Sequence, residues 1–360
     1  MYKCPSSSFF MGASSPSGFC SLFSGLHYPE KGWRLYIIKG GPGTGKSTLM
    51  KKAAAEAEKR GLYFEKIFCS SDPSSLDAVI IPSLKISIAD GTSPHVIEPQ
   101  YPGVSEITLD LGQFRNDEKL NESRDKIIEL TKENKAKHKK CTDFLFAAGS
   151  VDSDTASIIL SALKIERLHK FAEKLSEVKL RAFSDSVPVT AKRFLSALTS
   201  EGYVVFRDTL SGICEDIYVL DDPYGHAAAV ILKVLSIKAR EQGIDSIICH
   251  CPMSPEYKVE HLIFPDLSLG FYTSNRYHPD DFGNAKHIDC KRFLNTDILS
   301  RHKNRIAFNN RSKDELLCEA LNNLSKAKSV HDELEKYYIN AMDFTSLAQF
   351  SDNFIQQIFR

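Results

Sequence analysis

Between Gly40 and Ser47 the chain reads Gly-Gly-Pro-Gly-Thr-Gly-Lys-Ser. The spacing is G-x-x-x-x-G-K-S, the P-loop or Walker A pattern, and its chemistry is the holding of polyphosphate. Gly40, Gly41, Gly43 and Gly45 let the backbone turn sharply and aim its N–H groups at phosphate oxygens, with Pro42 and Thr44 completing the loop. Lys46 is expected to reach the β- and γ-phosphates, and the Ser47 hydroxyl to ligate Mg2+. Thr48 would add an α-phosphate contact. The flanks suit this task. Tyr36, Ile37 and Ile38 read as a short buried strand. Thr48 to Arg60 carries good helix formers and no proline, and Gly61 then ends the helix. The positive end of that helix would add to the cradle.

A second carboxylate must hold the metal. Leu84, Ile86 and Ile88 alternate in a run that ends on Asp90-Gly91, which makes Asp90 the expected Mg2+ ligand. Asp72 is its rival. It follows the apolar stretch Tyr63–Cys69, the next expected strand, and would lie at the carboxyl edge of the sheet as a base or substrate contact. Asp72-Pro73 reads equally well as a plain turn. Residue 91 is glycine, where many motor-type P-loop proteins carry a catalytic Glu; this tilts the reading toward kinase- or GTPase-like chemistry or slow hydrolysis. His95 would approach the γ-phosphate or a substrate, or serve as a loop histidine.

The pattern is written twice. Tyr36, Gly43, Lys51, Gly61, Cys69 and Pro73 recur 182 residues on as Tyr218, Gly225, Lys233, Gly243, Cys251 and Pro255. Phe10, Ala13 and Gly18 match Phe194, Ala197 and Gly202; Pro82, Leu84 and His95 match Pro265, Leu267 and His278; Asp110 and Phe114 match Asp289 and Phe293. Such periodicity marks a duplicated domain. The second copy has lost its phosphate chemistry, because Gly40, Gly45, Lys46 and Ser47 become Asp222, Ala227, Ala228 and Ala229. Asp221 and Asp222 would repel a triphosphate. Helical stretches follow each copy: Glu118–Lys140 and Asp154–Leu180 in the first, Lys313–Asp343 in the second. Phe183–Thr190 reads as the linker.

Lys+Arg and Asp+Glu both number 46, which argues against a strongly basic nucleic-acid binder and an acidic tail. Nine irregularly spaced cysteines suit reduced thiols in a cytoplasm rather than a disulfide framework. Cys249-His250-Cys251 with His261 has metal-ligand types, but no second close cysteine pair follows and zinc is not assigned. No window is apolar enough for a membrane span, and the first twenty residues lack the apolar core of a signal peptide.

Lys39 to Lys51, Cys69 to Asp77, Asp90 to His95 and Tyr272 to His278 together resemble a bacterial family of tandem P-loop ATPase or nucleotide-kinase-like proteins. Members often keep a P-loop in both halves, and this chain departs from them in its second. The resemblance implies ATP binding and names no substrate. The expectation is an α/β fold of two tandem P-loop NTPase-like three-layer αβα domains, residues 1–183 and 184–360, each with a helical annex. ATP and Mg2+ are the expected cofactors, with water, a small molecule or a protein as phosphoryl acceptor. The reaction would be ATPase or kinase-like transfer; the alternative is a nucleotide-gated interaction module with little turnover.

Overall fold

The computed structural model describes residues 4–181 and 187–360. The first half holds strands β1 (Ser6–Phe10), β2 (Gly12–Ser15), β3 (Gly18–Ser21), β4 (Arg34–Lys39), β5 (Phe64–Phe68), β6 (Leu76–Ile81), β7 (Ile86–Asp90) and β8 (Glu106–Asp110). Its helices are α1 (Lys46–Lys59), α2 (Asp117–Asn121), α3 (Arg124–Ala162) and α4 (Ile165–Lys179). The second half holds β9 (Thr190–Arg193), β10 (Ser196–Thr199), β11 (Gly202–Val205), β12 (Asp216–Asp221), β13 (Ser246–His250), β14 (Val259–Phe264), β15 (Leu269–Ser274) and β16 (Lys286–Asp289). Its helices are α5 (Arg207–Ile213), α6 (His226–Glu241), α7 (Thr296–Arg301), α8 (Lys303–Asn340) and α9 (Phe344–Ile358).

Two mixed six-stranded sheets result, ordered β1-β5-β6-β7-β4-β8 and β9-β13-β14-β15-β12-β16. In each, the third strand is antiparallel to both neighbours and the remaining pairs are parallel. Strand for strand the two sheets share one topology. Side chains alternate between faces along each strand. On β4, Tyr36 and Ile38 enter the cluster under α1, while Leu35 and Ile37 enter a cluster shared with Val219 and Ile263 of the second sheet. On β12, Tyr218 and Leu220 lie under α6. Helices thus cover the outer face of each sheet. Between the inner faces lie α5 and the short turn Phe23–Gly25, which contribute Leu210 and Phe23.

The helical annexes are exchanged. α4 packs on α6 of the second half, placing Leu168 and Ala172 in its core. α9 packs on α1 of the first half, placing Leu347, Phe354 and Ile358 there. Burying each of the leucine, isoleucine and phenylalanine side chains contributes about 1.5–3 kcal/mol. The backbone hydrogen bonds at the crossings are reciprocal. Asn116 N–H donates to the Ala341 carbonyl and Asn295 N–H to Ala162, both at 2.8 Å; Asp343 N–H donates to Phe114 and Lys164 N–H to Phe293, also at 2.8 Å. The equivalent residues Phe10 and Phe194 bond to each other in both directions. Such pairing of i with j and j with i marks a twofold relation between the halves. Packing therefore does not follow the sequence boundary at 183/184. That boundary, with residues 183–186 of the linker, lies outside the described residues.

One helix expectation is corrected. The stretch Asp154–Leu180 is not one helix: α3 runs through to Ala162, and the chain turns extended at Leu163, which bridges to Leu294. No glycine or proline marks the break; bonds to the other half do. The last helix, α9, was not read from the sequence. Asp343 caps it by accepting the Thr345 and Ser346 N–H groups.

Candidate functional site

The loop Gly40–Gly45 lies between β4 and α1, where the motif's chemistry needs it. Gly43 and Gly45 adopt φ of 65° and 86°, a region that favours glycine. Thr44 donates its hydroxyl to the Gly41 carbonyl at 2.9 Å. Lys46 opens α1 and folds back over the loop, donating to the Gly41 and Gly40 carbonyls at 2.6 and 3.2 Å. Ser47 Oγ accepts the Leu76 N–H at 3.0 Å, which ties the helix start to β6. Thr48 is exposed.

Asp90 ends β7, the strand directly beside β4 and parallel to it, with Asp90 opposite Ile38. One carboxylate oxygen accepts the Thr92 N–H and hydroxyl; the other lies 3.5 Å from Lys46 Nζ. Lysine and carboxylate thus meet at the loop. Asp72 is placed differently. Its carboxylate accepts from the Ser74 N–H and hydroxyl and faces Lys328 of α8 at 3.5 Å.

His95 is buried and stacks on Phe23, with ring centroids 4.3 Å apart. Its Nε2 lies 3.8 Å from Asp77 Oδ1, and among the described residues neither ring nitrogen has a hydrogen-bond partner. Burial, reinforced by the neighbouring Asp90, pushes the Asp77 carboxyl up to about 8, and burial holds His95 down at about 4. At neutral pH the pair is therefore a carboxylic acid beside a neutral imidazole, not an ion pair.

Asp77 is the site residue that sequence reading missed. It stands at a β-bulge: Phe68 pairs with Leu76 and Ile67 with Ala78, leaving Asp77 extra. A bulge re-aims one side chain out of strand alternation. The second copy repeats it at Glu260, which faces His278 at 3.2 Å. The available signal was an acid inside an apolar strand, repeated at the same separation as Pro82 and Pro265.

The loop is covered from the other half. Gly43 N–H donates to the Glu335 carboxylate of α8 at 3.0 Å. A Cβ on Gly41 would lie 2.6 Å from the Tyr338 ring, and one on Gly43 2.9 Å from Ile339. These glycines thus admit α8 as well as giving the loop its turn. His331 beside Glu335 holds its carboxyl below the usual range, so it is charged at neutral pH.

The second loop differs in kind. α6 starts at His226, so four residues rather than six separate strand from helix. Asp222 is buried and accepts the N–H groups of Ala228 and Tyr224 at 2.9 and 3.1 Å. An internal carboxylate occupies the anion-favouring helix start.

All nine cysteines are free thiols. Among the described residues no helix is long and apolar enough to cross a membrane. Models of known protein families, curated proteins and solved structures give no match to this chain.

Proposed function

We propose that the first half binds a Mg2+–nucleoside triphosphate on Gly40–Thr48 and cleaves or transfers its γ-phosphate. The observation that carries this reading is the complete G-x-x-x-x-G-K-S loop between strand and helix, with Asp90 at the end of the adjoining strand facing Lys46 at 3.5 Å. Lys46 would neutralise charge developing on the phosphates, and Ser47 and Asp90 would hold Mg2+, which would supply further neutralisation of phosphate charge. His95, backed by Asp77, is the candidate for orienting the nucleophile. Asp72, held by Lys328, is the second. ATP is favoured because no N-K-x-D guanine-reading run is present. The acceptor is water, a small hydroxyl compound or a protein. The second half, with Asp222 in its own anion seat, is assigned no nucleotide. The test is calorimetric titration of the full chain with Mg-ATP and a turnover assay over candidate acceptors. One site per chain is expected; two equal sites would contradict the assignment.

The gated reading rests on a separate observation, the Glu335 carboxylate on Gly43 N–H. A carboxylate and a phosphate compete for the same donor, so nucleotide binding would displace the Glu335 carboxylate of α8 from Gly43. Such a cap is a switch when nucleotide binds the open state better than the closed one. Glu335→Ala is expected to tighten Mg-ATP binding by about tenfold, the value of one hydrogen bond to a charged group. Unchanged or weaker affinity in the same titration would reduce Glu335 to a packing contact.

A further inference from the structure

Where α8 turns into α9, the second half's annex meets the segment after β8 and leaves a polar cleft. Gln113, Phe114, Arg115, Lys119, Asn340 and Met342 line it. It adjoins the phosphate loop. β8 lies beside β4, with Asp110 opposite Lys39, and a Cβ on Gly40 would touch Leu111. Tyr338, packed on Gly41, stands two residues before Asn340.

The duplication supplies a control. The same crossing occurs in the second copy, where Arg115 and Lys119 are matched by Leu294 and Ile298. There Leu294 is buried and joins an apolar cluster with Ile159, Ala162 and Ile306 that Ile298 packs against. One backbone seam is thus a polar cleft beside the loop that keeps its lysine, and carries buried Leu294 in an apolar cluster beside the loop that lost it. Packing alone does not require the cations, since the second copy fills the seam with Leu294 and Ile298. Arg115 is steered by Asp117 at 2.6 Å, and Lys119 donates to the Asn340 carbonyl at 2.7 Å.

Resting on the nucleotide reading above, we infer that this cleft is the nucleoside subsite, taking the base and ribose of the triphosphate held by Gly40–Thr48. Its chemistry suits a heteroaromatic base. Phe114 and the Arg115 guanidinium offer a face for stacking, and the Gln113 and Asn340 amides offer donors and acceptors for base edges. The cleft spans both halves, so the nucleoside would touch the end of the same helix whose Glu335 caps the loop.

The test replaces both cations with the second copy's own residues, Arg115→Leu with Lys119→Ile, in the full chain. Mg-ATP and Mg-tripolyphosphate are titrated side by side, because tripolyphosphate has the anion without the nucleoside. The double variant is expected to lose about tenfold in Mg-ATP affinity, as loss of one stacking contact would give, while tripolyphosphate stays within about threefold. Equal losses for both probes, or unchanged Mg-ATP affinity, would overturn the subsite and leave the phosphate loop standing. Binding of neither probe by the unaltered chain would overturn both. Circular dichroism and thermal melting of the variant check that its fold is kept.

Discussion

Lys46→Ala is expected to weaken Mg-ATP binding by at least about a hundredfold, because hydrogen bonds from a charged donor contribute about 1.5–3 kcal/mol each and Lys46 is assigned two phosphates. The side chain sits where this predicts a clean effect. It leaves the start of α1, crosses the loop and ends between the Gly40 and Gly41 carbonyls and Asp90. The substitution removes the lysine's bonds to the Gly40 and Gly41 carbonyls but leaves Gly43 and Gly45 at positive φ and the Thr44–Gly41 hydrogen bond to hold the loop. Alanine is also a slightly better helix former than lysine. Thermal stability should therefore stay near that of the unaltered chain while nucleotide affinity collapses. Calorimetric titration and a melting curve on the same sample read both quantities. Wild-type affinity in the variant would remove Lys46 from the site.

The second large effect concerns the joint between the halves. Arg193 of β9 places Nε and Nη2 each 2.9 Å from Glu65 Oε2 of β5, and both side chains are almost fully buried. Arg193 Nη1 also donates to the Lys192 carbonyl. A buried ion pair offers little net stability over a well-packed apolar pair, yet removing one partner leaves a charge without water or a counter-ion. Arg193→Met is therefore expected to cost about 3–5 kcal/mol of unfolding free energy, and Glu65→Leu combined with Arg193→Met to recover most of it. Denaturant unfolding of the two variants measures this. A loss below about 1 kcal/mol in the single variant would mean that water reaches Glu65, against its burial beside Arg193.

The duplication was legible because several of the separations read from residue types fall on matching structural features, though the loop match of Gly43 with Gly225 does not, since Gly225 caps α6 where Gly45 caps α1. Gly18 and Gly202, and Gly61 and Gly243, share positive φ, and Pro82 and Pro265 open the same short turn. The strand–loop–helix placement of Gly40–Gly45 was legible for a different reason, since glycines at positive φ are tied to local backbone geometry. What was not legible depends on distant contacts. Nothing local at Leu163 stops a helix; its bridge to Leu294 does. Asp77 hid in an apolar strand because a bulge is a property of two strands, not one. The exchange of annexes is invisible to helical periodicity, which gives Asp154–Leu180 an apolar face but not which sheet covers it.

The most direct measurement is a crystal structure of the full chain with Mg2+ and a non-hydrolysable ATP analogue. The account predicts triphosphate density on the Gly40–Thr48 amides, Mg2+ between Ser47 and Asp90, Glu335 displaced from Gly43, and no nucleotide at Asp222. An empty first loop at millimolar nucleotide, or density on residues 222–228 instead, would contradict it.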